Sequence, residues 1–191
     1  AVAESHPTTG VPTSHYAAQK AEVESILDRV QAEHPELLVT RLRPGLIFQS
    51  AAGPEIKDYF LGDLVPARLV ARLRTPVLPF PRGLRFQALT AQDVADAYWR
   101  VIVHRAGGAF NVAADPVLDA HTMGTVLGAR RILELPVGLF RAAAALTYRA
   151  RLQPTDPGWV DMAAAVPIMD TTALRAATGW SETTDAREAV R

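Results

Sequence analysis

The chain has 191 residues, 49% hydrophobic and 21% charged, with twenty acidic side chains against twenty basic ones. That balance excludes the strongly basic surface that a nucleic acid or an anionic membrane selects, and the length suits one domain, or one and a half, with a sizeable core. With no cysteine there is no disulfide, thiolate nucleophile or cysteine-bound zinc, which fits a reducing cytoplasm.

Residues 1–12 read as a loop, broken by Pro7, Gly10 and Pro12, with no strand or helix pattern of their own. No basic run followed by an apolar one opens the chain, so no signal peptide is expected; the loop-like start reads as the middle of a larger unit. Ser14 is placed to cap a helix running to about Glu33, with Tyr16, Val23, Ile26, Leu27 and Val30 on one apolar face and Glu22, Glu24, Asp28, Arg29 and Gln31 on the other. His34-Pro35 ends it, because a residue before proline is pushed out of the helical region. Leu37 to Arg43 has strand chemistry and leads into Pro44-Gly45-Leu46-Ile47-Phe48. A helix followed by a largely apolar strand is the rhythm of a parallel sheet covered on both faces.

A helix is expected over about 62–73, then an extended crossing imposed by Pro76, Pro79 and Pro81, and a brief strand over Arg85 to Leu89. Thr90 is placed to cap a helix to His104 with Val94, Ala97, Tyr98, Val101 and Ile102 inward; Gly107-Gly108 breaks it and Ala109 to Ala113 is the next strand. Beyond Pro116 the pattern turns helical: about 120–127, 137–152 and 157–164, then a last helix from Thr171 to Gly179-Trp180. The longest apolar stretch, Val137 to Leu146, is interrupted by Arg141 and is too short to span a bilayer. Trp159, Trp180 and Tyr148 are expected to fill the core of this helical part. The histidines show no metal-ligand spacing and no metal is expected.

The chemistry-bearing pair is Tyr16 and Lys20. Four residues apart on a helix, they share a face about one turn apart. A free phenol titrates near pH 10 and is a poor base at neutrality; a neighbouring cation favours the phenolate and suits it to acid–base work. An ammonium also offers hydrogen bonds to a ligand hydroxyl.

Five motifs in order carry a resemblance: Tyr16-x-x-x-Lys20, Arg43-Pro44-Gly45-Leu46-Ile47-Phe48, Gln87 to Ala97, Gly108 to Ala113, and Met169 to Arg175 closing with Thr178-Gly179-Trp180. Together they resemble the extended short-chain dehydrogenase/reductases, in particular the NAD-dependent epimerase/dehydratase branch, and only its C-terminal part. The resemblance implies an α/β fold: the C-terminal half of a Rossmann-like parallel sheet over 1–50 and 85–115, with a small, mainly helical substrate-binding subdomain over 51–84 and 116–191. It implies Tyr16 as acid/base and Lys20 as its ribose-binding partner, with Pro44, Gly45, Leu46 and Ile47 against the nicotinamide of NAD or NADP, NAD being favoured. Phe48 and Gln49, at a strand's C-terminal end where open α/β sheets bind ligands, are candidates to line the substrate pocket. Arg85 is a candidate for an anionic substrate group or for a surface ion pair.

The sequence also departs from that family. No Gly-x-x-Gly-x-x-Gly occurs, and the family's catalytic Ser/Thr would fall ahead of Ala1, so Ser14 does not replace it. Leu46-Ile47-Phe48-Gln49 stands in place of Asn-Val-Tyr-Gly, and Arg85-Phe86-Gln87 in place of Arg-Asp-Phe, which removes polar groups that hold a diphosphate-linked sugar. The expected function is NAD(P)-dependent oxidoreduction or epimerisation at a hydroxyl or carbonyl carbon of a small polar metabolite. The alternative is a non-catalytic fragment or binding module that keeps the scaffold. The expected partner, besides a small-molecule substrate, is either a second copy of the chain or the missing N-terminal half.

Overall fold

The computed structural model describes residues 1–49 and 77–191; the helix expected over 62–73 lies outside the described residues. In chain order the elements are α1 (His15–Glu33), β1 (Thr40–Pro44), β2 (Leu46–Phe48), β3 (Val77–Pro81), β4 (Ala88–Thr90), α2 (Ala91–Val103), β5 (Gly108–Val112), α3 (Ala120–Val126), β6 (Arg131–Leu135), α4 (Val137–Arg149), α5 (Gly158–Ala165), α6 (Thr172–Thr178) and α7 (Ala186–Ala189). Three two-stranded ladders form among the described residues, β1 with β5, β2 with β4 and β3 with β6, and all are parallel. Parallel pairing demands a crossover between partners: α2 lies between β1 and β5 in the chain, and α2 and α3 lie between β3 and β6.

Gly45 is the pivot of the sheet. Its N–H bonds to the Val112 carbonyl at 2.9 Å, and the next N–H, of Leu46, bonds to the Gln87 carbonyl at 2.9 Å. The chain changes partner between two adjacent residues, leaving β5 for β4. A Cβ on Gly45 would stand 2.7 Å from the Gln87 carbonyl oxygen, so only glycine lets the strands approach here.

The core joins β4, α2, β5 and the C-terminal segment: Leu89, Val101, Phe110 and Leu118 pack with Leu174 and Trp180. Trp180, 1% exposed, thus belongs to the sheet's core rather than to the helical part, and its indole Nε1–H donates to the Asp93 carbonyl at 3.1 Å. The Thr90 hydroxyl caps α2 by accepting from the Asp93 N–H at 3.1 Å and donates to the Asp93 carboxylate at 2.8 Å, while Thr183 donates to the same carboxylate from its N–H and its hydroxyl. The buried Asp93 carboxylate therefore ties the start of α2 to the C-terminal segment.

Several expectations are corrected. No residue of α1 is buried: of its apolar face Val23 and Ile26 lie exposed and Leu27 and Val30 half-buried, and half-buried Glu24 is turned to β1 because Arg41 and Arg43 stand there to pair with it. On α2, Val94, Ala97 and Val101 are buried but Tyr98 and Ile102 are exposed, since the apolar arc is wider than the core beneath it. Tyr148 is exposed. The strand expected from Leu37 begins only at Thr40, with Leu37 and Leu38 exposed. The crossing at Pro79 and Pro81 is the strand β3; among the described residues it pairs with β6 alone, and proline is tolerated on such an edge. The strand expected at Arg85 narrows to β4, with Phe86 making an isolated bridge to Leu118. Neither β6 nor α7 is signalled by periodicity, both being short, at five and four residues.

Candidate active site

Ser14 starts the site. It is 1% exposed, and its hydroxyl accepts from the Ala17 N–H at 3.3 Å, fixing the first turn of α1 that carries Tyr16 and Lys20. Both side chains lie at the surface, and the Lys20 ammonium stands 5.5 Å from the centroid of the Tyr16 ring. The i, i+4 spacing has brought them together as helical geometry requires.

The ion pairs beneath α1 establish its direction over the sheet. Arg43 grips Glu24 with two nitrogens, at 2.7 and 2.8 Å, while Arg41, two residues earlier in β1, reaches later positions on the helix, Asp28 at 2.6 Å and Gln31 at 2.8 Å. Helix numbering rises as strand numbering falls, so α1 runs antiparallel to β1. Tyr16 lies eight residues before Glu24, about 12 Å toward the helix N-terminus, and Ile47 lies four residues beyond Arg43, about 13 Å along the strand direction. The phenol therefore sits roughly level with Ile47, and Lys20 roughly level with Gly45. The N-terminal part of α1, which carries both, thus lies toward the C-terminal ends of the parallel strands, the end at which open α/β sheets bind ligands.

Glu24 is the keystone of this arrangement. The hydrogen bonds from Arg43 hold its carboxyl below the ordinary range against the opposing effect of burial, with Arg41 adding to the lowering. Its side chain and those of Arg41 and Arg43 are 15, 11 and 21% exposed.

The remaining sequence candidates fall in different places. Pro44, Leu46, Ile47 and Gln49 are exposed, Gly45 is half-buried, and Phe48 packs on the core opposite Thr90. Arg85 stands apart, exposed three residues ahead of β4, and its charge acts on Asp119, the cap of α3. All five histidines are exposed.

A residue that the sequence reading placed in the helical core lies against the pair. Trp159, second residue of α5, stacks on Tyr16 with ring centroids 5.0 Å apart and planes 29° from parallel. Such pairs contribute about 0.5–1.5 kcal/mol beyond the area they bury. Nothing local in the sequence signals it, because the two rings are 143 positions apart. A hollow of about 480 Å³ lies elsewhere, between β1 and α2, bordered by Leu38, Leu42, Tyr98, Val101 and Ile102.

No protein-family model matches the chain, and no curated protein does. Solved structures do match, and they define a fold class: the Rossmann-type α/β fold of NAD-linked epimerases and dehydratases. RMD from Pseudomonas aeruginosa, complexed with NADPH, is 20% identical with a TM-score of 0.54, over 92% of this chain and 53% of that one. UDP-glucose 4-epimerase from Thermus thermophilus, in complex with NAD, is 19% identical with a TM-score of 0.53, over 95 and 53% of the two chains. dTDP-glucose 4,6-dehydratase from Bacillus anthracis, also with NAD, is 15% identical with a TM-score of 0.57, over 94 and 50%. The chain thus spans about half the length of the structures it resembles.

Proposed function

We propose that this chain is the catalytic-tyrosine part of an NAD(P)-dependent oxidoreductase or epimerase that acts at a hydroxyl or carbonyl carbon of a small polar metabolite. What supports the reading is the antiparallel run of α1 over β1, from which helix and strand rise bring Tyr16 and Lys20 about level with Gly45 to Ile47.

Oxidation of a secondary hydroxyl removes a hydride from carbon and a proton from oxygen; reduction returns both. A nicotinamide, when bound, supplies the hydride chemistry. The described residues fit its ribose end, since Lys20 brings three donors and Tyr16 a hydroxyl to one helix face. They do not include the glycine-rich turn that cradles a pyrophosphate, and the sequence holds no such motif. Tyr16 takes the proton from the substrate hydroxyl in one direction and returns it in the other. Lys20 stabilises the negative charge that develops on the phenol oxygen as the proton leaves. Pro44 to Ile47 form the wall beside the reacting carbon, and Phe48 and Gln49 follow it into the substrate side.

The half-length match to whole enzymes and the missing phosphate cradle favour an N-terminal half as the partner. The second reading is a binding module without chemistry; an intact, glycine-rich half preceding Ala1 in the reading frame rules it out. Steady-state kinetics of the complete enzyme with Tyr16→Phe test the first. The ring's packing is kept, cofactor affinity should hold within a few-fold, and turnover should fall by about 10²–10⁴. Near-wild-type turnover would make the pair surface decoration.

A further inference from the structure

We propose that Trp159 is a positioning residue for Tyr16: its indole holds the plane of the phenol ring, so that the α4–α5 unit sets the aim of the acid/base. This rests on the reading of Tyr16 given above.

A tyrosine on the first turn of an exposed helix is free to change rotamer on the picosecond-to-nanosecond scale. Tyr16 is 43% exposed, and α1 buries none of its residues, so its own helix does little to hold the ring. The stacked indole lies over the ring, and the Lys20 ammonium is 5.5 Å from its centroid. Among the described residues, one contact from α1 itself and one from α5 thus bear on the group that must meet a substrate oxygen. Proton transfer tolerates little error, and a misplacement of about 1 Å costs on the order of 100-fold in rate.

The indole is held where it is by its own backbone. Gly158, buried, presses the start of α5 onto the residues that cap α1: a Cβ there would stand 2.1 Å from the Thr13 carbonyl oxygen and 2.9 Å from the Ser14 Cα. The Gly158 N–H donates to the Asp156 carboxylate at 2.7 Å, which sets the turn into α5. At the other side Arg141 of α4 bonds both oxygens of Asp161 at 2.9 and 3.0 Å, tying α5 to α4. A shift of the α4–α5 unit is therefore passed to the phenol through Gly158 and Trp159. A tryptophan that merely filled a core would sit under such helices, and this one is half-buried on the catalytic ring.

The test has two readouts on Trp159→Leu, Trp159→Phe and Tyr16→Phe, each checked for thermal unfolding. The first needs no substrate: fluorine NMR of the complete enzyme labelled with 3-fluorotyrosine, the Tyr16 line being the one absent from Tyr16→Phe. Trp159→Leu should move that line toward the free amino acid and narrow it, Trp159→Phe should keep most of the wild-type shift, and the other tyrosine lines should hold still. The second is NADH formation by the complete enzyme with UDP-glucose and glycerol 3-phosphate as probes. Here Trp159→Leu should lower kcat about ten- to a hundred-fold with KM for NAD within two-fold, and Trp159→Phe should recover most of the loss. A Tyr16 line unmoved by Trp159→Leu overturns the inference, and so does wild-type kcat in Trp159→Leu beside an inactive Tyr16→Phe. Full turnover in Tyr16→Phe overturns the catalytic reading and the inference with it.

Discussion

On the proposed reading Tyr16 and Lys20, whose ammonium stands 5.5 Å from the phenol ring centroid, act on one another, which gives their substitutions a signature. Lys20→Met should impair nucleotide binding as well as turnover, since its ammonium is assigned both ribose and phenol. The double variant with Tyr16→Phe should be little slower than the worse single one, because a lysine has no developing phenolate to stabilise once the hydroxyl is gone. Additive losses in kcat/KM would separate the two residues. Asp93 is the other residue whose chemistry can be tested singly. Burial raises its pKa, but hydrogen bonds from the Thr183 side chain and N–H, from Thr90 and from the Thr184 N–H outweigh that, and the folded value lies below the ordinary 3.8. A depressed carboxyl stabilises the fold fully above the unfolded value, and this contribution is lost as pH falls through the folded value. Asp93→Ala should therefore cost about 1–3 kcal/mol near neutral pH, read by urea unfolding, and the gap to wild type should close as the solution is acidified below 3.8. A gap that stays constant with pH would mean that the clamp works without its charge.

At the scale of elements, two of the contacts that position α1 can be tested. One is the Glu24 fork beneath it: Glu24→Ala leaves Arg41 and Arg43, both mostly buried, without their shared carboxylate. Removing one partner of such a group is costly because the remaining charges stay desolvated, and about 2–4 kcal/mol should be lost. Replacing Arg41 by Met, which also removes a charge with no partner at its buried Nε, should cost far less. Equal losses in chemical denaturation would show that the network's geometry, rather than its stranded charge, is what matters. The other contact is the wedge of α5. Gly158→Ala places a methyl group against backbone that has no flexible end to yield. It should destabilise by about 1–3 kcal/mol and free the Tyr16 ring as Trp159→Leu does.

For the whole molecule, the exposed apolar surface is the feature with consequences. Leu38, Tyr98 and Ile102 lie together beside β1, which pairs with β5 alone among the described residues, and Trp99 on α2 and Val23 and Ile26 on α1 are exposed. An unpaired parallel strand flanked by such side chains pairs readily with another chain. The 191-residue chain alone should self-associate at micromolar concentration and bind no NAD measurable by calorimetry, for want of a pyrophosphate cradle. A monodisperse monomer in sedimentation, or a micromolar dissociation constant for NAD, would contradict this account. No helix among the described residues is long and apolar enough to cross a membrane.

The sequence alone determined whatever depends on near neighbours. Ser14 and Thr90 announce their helices because a cap and its orphan N–H groups are three residues apart, and Tyr16 meets Lys20 because four residues make about one turn. The parallel class was legible in the alternation of helix and apolar strand, and the Arg43 to Phe48 run marked the strand end. Tertiary structure decided which way each face turned. Val23 and Ile26 of α1 look outward because two arginines on β1 offer its acids a better partner than water, and no helical period carries the sequence of a strand that follows it. It decided too that Gly45 would separate two ladders and that Trp159 would cover Tyr16. Those contacts join residues far apart in the chain, and only the packing of one element against another brings them within reach.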